Sequence, residues 1–173
     1  MNNQTSSNLD NDEIDIFILF NSLLRNKLTI IVFTLISTNE DINLNKVIEN
    51  CSNGNSNKAL TIFENIYENQ STSVTIIRMF ANHFKLLERI LLHFEHNKNL
   101  EYIIENIKPP IFFKKKEFVI FQCSIWDLKS INMILARLID LEAKCKLNYM
   151  AEKTLLSQFI LSTSVLARKR IKS

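Results

Sequence analysis

Glycine is almost missing: Gly54 is the one glycine in 173 residues, where average usage would supply roughly 12. Glycine alone lets a backbone sit at positive φ and approach a phosphate closely. With a single copy, neither a Walker-type loop nor a GxGxxG fingerprint can be written, so nucleotide-binding classes built on them are excluded. Proline is scarce too, and its two copies, Pro109 and Pro110, are adjacent. A β-sandwich or barrel needs many tight turns, so this shortage of turn residues argues against both. Cys51, Cys123 and Cys145 are few, odd in number and widely spaced. Without a CxxC pair they outline neither a disulfide framework nor a thiolate metal site, and reduced thiols are expected. Long apolar runs are lacking as well. The longest, residues 28–36, is too short to span a bilayer, and joining it to residues 14–24 would bring Asp15, Arg25 and Lys27 into lipid. The opening MNNQTSSNLDNDE lacks the basic start and apolar core of a signal peptide. A soluble cytoplasmic protein without a cofactor is expected.

What is present reads as helix. The 46% hydrophobic and 23% charged fractions are those of an ordinary globular chain, long enough for one domain with a real core. Net charge is +3 but uneven. Residues 1–50 hold seven acids and three bases, net −4, and residues 51–173 hold eleven and eighteen, net +7. Residues 1–11 are polar and expected to be disordered. Residues 12–40 are an apolar-rich segment, the remnant of a preceding domain or unrelated sequence: Ile16, Phe17, Phe20, Leu23 and Leu24 recur at helical spacing, while over 28–36 strand cannot be separated from buried helix by pattern. Residues 41–173 read as a helical domain.

Within that domain, residues 42–51 predict a short helix, and Gly54 stands where a helix C-cap is wanted. Residues 57–69 place Leu60, Phe63 and Tyr67 on one face. Ser73 is the expected N-cap of the next helix, whose stripe Ile77, Phe80, Phe84, Leu87, Leu91, Phe94 is spaced 3, 4, 3, 4, 3. A core helix of a bundle explains that stripe better than a coiled-coil seam, which normally runs for more heptads. A short helix over 99–107 ends at the prolines, where Lys108 should be extended, and the next helix should start. Ser124 to Asp127 matches a capping box. The helix of about twenty residues after it carries Leu128, Ile131, Leu135, Leu138 and Cys145, flanked by Ile134 and Leu141, and the i,i+4 pair Glu142 and Lys146. A last helix spans 151–168, with Leu155, Leu156, Phe159, Ile160 and Leu166 apolar, and the chain closes on a basic cluster from Arg168 to Lys172.

Candidate chemistry is thin. His93 and His96 lie one turn apart around Glu95, but no third metal ligand has a fitting spacing, so an exposed helix face is the better reading. His83 reads as a boundary histidine. None of the cysteines sits in a glycine elbow or at an evident helix N-terminus, so packing roles are expected. Phe112 and Phe113 before Lys114, Lys115 and Lys116 can be read as base-stacking and phosphate-gripping groups. The plainer reading is a helix start with its aromatics toward the core and its lysines toward water. Arg168–Lys172 divides likewise between a nucleic-acid arm and a frayed basic end.

The order of these segments resembles the C-terminal domain of the delta subunit of bacterial DNA polymerase III. The resemblance covers about residues 42–170. Ala59-Leu60 matches a short helix after a small-residue turn, and a long helix with an aromatic and leucine stripe follows. The most specific part is the Pro-Pro-x-Phe-Phe-Lys run, matched by Pro109, Pro110, Phe112, Phe113 and Lys114. Ser124, Trp126, Glu142 and Lys146 match the start and end of the next helix. The resemblance implies an all-α helical bundle of the clamp-loader collar type. It also implies a non-catalytic part in DNA replication through contacts with other clamp-loader subunits, with DNA touched only indirectly or weakly. It implies no membrane, metal, cofactor or small-molecule substrate. Family members carry two further domains ahead of the collar, for which this length has no room. The resemblance therefore implies a collar-only chain: a truncated product, half of a split gene, or a free-standing domain. The alternative is a small basic helical nucleic-acid-binding module built on Lys114–Lys116 and Arg168–Lys172.

Overall fold

The protein is described by a computed structural model, over residues 43–67, 72–96 and 99–172. The expectations for residues 1–11 and 12–40 lie outside the described residues. Helix α1 covers 43–52, and Leu44, Val47, Ile48 and Cys51 form its buried face. Gly54 ends it at φ +80°. The Gly54 N–H bonds the Cys51 carbonyl at 3.1 Å and the Asn55 N–H bonds the Asn50 carbonyl at 2.8 Å. This paired closure is a Schellman cap, as the sequence suggests, and only glycine takes its left-handed position without strain.

Helix α2 (Ser56–Tyr67) buries Ala59, Phe63 and Ile66. Leu60 and Tyr67, expected on the inner face, pack at its border. Helix α3 (Ser73–His96) is capped not by Ser73, which is its first residue and buried, but by Thr72. The Thr72 hydroxyl accepts from the Thr75 N–H at 3.4 Å. Ile77, Phe80, Phe84 and Leu87 are buried as expected, and α3 is a core helix. Its last turns pack against the next helix, α4 (Leu100–Asn106), which moves the buried face to Ile90 and leaves Phe94 38% exposed. Asn99 caps α4 by accepting from the Tyr102 N–H at 3.1 Å.

The link from Ile107 to Phe112 carries a cis Lys108–Pro109 peptide bond. Helix α5 (Phe113–Ile125) starts three residues after the prolines rather than at them. Helix α6 (Leu128–Leu147) is capped by Asp127, which accepts from the Ser130 N–H at 2.7 Å. The expected capping box is not formed. Ser124 still belongs to α5 and donates to the Phe121 carbonyl, while Trp126 fills the corner between the two helices. Ile131, Ile134, Leu138, Leu141 and Cys145 form the buried face of α6, and Leu128 and Leu135 lie at its edge. A 3-10 turn (Tyr149–Ala151) leads to α7 (Glu152–Ile171), which buries Leu156, Phe159, Ile160 and Ala167.

The described residues are all-α, with no strand among them. The α3–α6 pair is the most extensive packing, and α7 joins it to α2. Two edge-to-face ring pairs lock the centre: Phe80 on Phe159 and Phe84 on Trp126, each with centroids 5.3 Å apart. Such pairs add about 0.5–1.5 kcal/mol beyond area burial.

Candidate functional site

The motif residues divide by place. Pro109, Pro110, Phe112, Phe113 and Lys114 gather at the corner between α4 and α5, and all five are exposed. Phe112 and Phe113 are 60% and 66% exposed, with ring centroids 4.9 Å apart, and the Lys114 ammonium stands 5.8 Å from the Phe113 ring. Trp126 belongs to the core instead. Its indole N–H donates to the Ser52 carbonyl at 3.1 Å. Glu142 and Lys146 form a 2.6 Å ion pair on the last turns of α6, away from that corner in the chain. The Lys146 ammonium holds the Glu142 carboxyl below its usual range.

The exposed pair overturns the expectation that these aromatics face the core. Starting α5 at Phe113 puts Lys115, Val119 and Gln122 on one helical face at i, i+4, i+7, and Val119 and Gln122 are buried. Phe113 then points outward, and Phe118 and Phe121 are exposed as well. Lys115 reaches along the inner face to donate to the Asn45 side-chain oxygen at 2.9 Å. The first turn of α5 holds three lysines, no acid and no side-chain cap. Cations there oppose the helix dipole, a local conflict of the kind that marks functional surface.

Beside this corner lies a cleft of about 670 Å³ between α3 and the proline link. Lys85 and Arg89 border it from α3 and Lys115 from α5. Arg89 also donates to the Lys108 carbonyl at 2.9 Å. Sequence reading missed Lys85 and Arg89. They are one turn apart on α3, but nothing in the sequence places them against residues twenty positions later.

The basic end is helical as far as Ile171 and is held at its two arginines. Arg168 donates to the Gly54 carbonyl and to Ser56. Arg170 pairs with Asp127 at 3.0 Å and donates to Ser130. Both arginines clamp the domain, while Lys169 and Lys172 of the same cluster are exposed. Burial pushes the Cys51 and Cys123 thiols up to about 12 and raises that of Cys145. These are packing thiols, not thiolates. Among the described residues no cluster of His, Cys, Asp or Glu is placed to share a metal, and His93 and His96 are exposed. No single helix among the described residues is long and apolar enough to cross a membrane.

The sequence model of a family described as DNA polymerase III delta subunit, C-terminal domain, matches residues 41–163. No curated protein and no solved structure matches the chain.

Proposed function

The chain belongs to the family formed by the C-terminal domain of the DNA polymerase III delta subunit, and from that premise we propose that it works as a delta-type clamp-loader component in DNA replication. Residues 41–173 act as a collar domain, binding equivalent helical domains of other subunits. The role is non-catalytic and cytoplasmic, and it requires neither cofactor nor small-molecule substrate. The observation that carries this reading is the family match over residues 41–163. The all-helical build agrees with it, because a collar needs helix faces rather than glycine loops. Exposed apolar side chains supply interface area, notably Phe112, Phe113, Ile139, Leu147 and Met150.

Size-exclusion chromatography of the purified chain with the other clamp-loader subunits, at micromolar concentration, tests this reading. Co-elution as a stoichiometric complex is expected. Separate elution of every component would remove the assembly role.

A further inference from the structure

The cleft between α3 and the proline link has walls of one sign. Its charged side chains are Lys85, Arg89 and Lys115, and no acid lines it. Asn82 adds one neutral polar side chain, and the rest of its lining is apolar, from Leu86, Pro109, Pro110 and Ile111, with Phe112 beside them. Two of the cations are held in place by the fold, Arg89 on the Lys108 carbonyl and Lys115 on Asn45. A guanidinium has five N–H donors and an ammonium three, so each retains donors for a second acceptor.

We propose that this cleft docks an acidic peptide segment of a partner protein. One aromatic or large aliphatic side chain of that segment sits against the prolines, and flanking carboxylates meet Lys85, Arg89 and Lys115. A concave apolar floor is what a single anchor residue fills. A cleft lined by cations and by no acid attracts acidic partners and repels basic ones. A nucleic-acid strand asks for a different shape, a track of cations along the backbone with successive aromatic platforms. Here the cations border one pit from two helices. The inference concerns this cleft alone and holds whether or not the chain joins a clamp-loader ring.

Fluorescence anisotropy on the whole chain tests it, with a fluorescein-labelled Asp-Glu-Asp-Leu-Phe-Asp-Glu peptide as the probe. Saturable binding that weakens with salt is expected. Replacing the peptide's Phe by Ser, or Lys85 by Glu in the protein, should weaken it by about tenfold or more. Arg89→Glu should act in the same direction, and Lys85→Glu, which removes no hydrogen bond to Lys108, separates recognition from folding. Equal binding of a version with lysines for acids would overturn the proposal, as would absence of saturation. Displacement of the peptide by oligothymidylate that itself binds tighter would also overturn it and give the cleft to nucleic acid. Because the probe needs no other subunit, failure here is distinct from failure to co-elute.

Discussion

The Arg168 guanidinium grips the carbonyl oxygen of Gly54 with two hydrogen bonds, at 3.1 and 2.9 Å, across 114 residues of sequence. The last helix is thereby tied to the turn that closes the first described one. The fit leaves no space for a side chain at the turn. A Cβ on Gly54 would lie 2.9 Å from the Arg168 backbone nitrogen, and the φ of +80° already disfavours any other residue.

Gly54→Ala should therefore cost more than a surface change. Left-handed backbone costs a non-glycine about 1–2 kcal/mol, and the contact with the α7 backbone adds about 1–3 kcal/mol of overpacking. A total loss of about 2–4 kcal/mol is expected in urea denaturation followed by the fluorescence of Trp126, the one tryptophan. A loss under about 1 kcal/mol would show that α7 yields at this point.

Asp127 serves two partners, the Ser130 N–H as N-cap and the Arg170 guanidinium as ion pair. Burial works to raise its carboxyl, but the Ser130 hydrogen bonds and Arg170 outweigh it and hold it below the usual range. Its ionised form thus stabilises the fold above the ordinary carboxylate range, and that contribution fades as pH falls through the lowered value. Asp127→Ala should cost about 1–2 kcal/mol, mostly as a lost cap. Asp127→Asn keeps a capping oxygen and should cost less, with a flatter acid limb in a stability-versus-pH series. Equal losses for the two would assign the effect to the exposed ion pair, which pairs of this kind seldom support.

Phe84 and Trp126 meet edge to face with no solvent access at Phe84. Phe84→Ala should destabilise by about 3–5 kcal/mol, as truncation of a buried Phe does. It should also shift the Trp126 emission, because the cavity opens at the indole. A loss under about 1 kcal/mol would mean that the α3 stripe is not core.

These residues also show what the sequence makes legible. Helical periodicity found α3 and α6 and most of their buried residues, because a core imposes its spacing directly on the chain. Gly54 was readable because one glycine in a polar turn has few other uses. Helix starts were read less well. Ser73 and Ser124 are good caps in isolation, but neighbouring Thr72 and Asp127 took the role once packing set the register. The outward turn of Phe112 and Phe113 depends on α5 starting three residues later than the prolines suggest. The clamp of Arg168 and Arg170, and the placing of Lys85 and Arg89 beside the proline link, are long-range contacts with no local signal.

His83 offers a titration on the same scaffold. Its ring lies edge-on to Phe84 with a centroid distance of 5.7 Å. Burial pushes its pKa from 6.5 down to about 4, the Lys115 charge adds to the shift, and the Gln122 side chain works against it. The folded state thus resists a proton that the unfolded chain accepts. Between the two values the unfolded chain binds more protons, so stability rises with pH across that window and is fully present above 6.5. Acidifying to pH 4 should remove at most about 3 kcal/mol through this group, beyond what the carboxylates lose. His83→Gln keeps a neutral polar side chain and cannot titrate. Denaturant midpoints from pH 7 to pH 4 should fall less steeply in that variant than in the parent. Parallel curves for the two proteins would mean that His83 takes up its proton in the folded chain as readily as in the unfolded one.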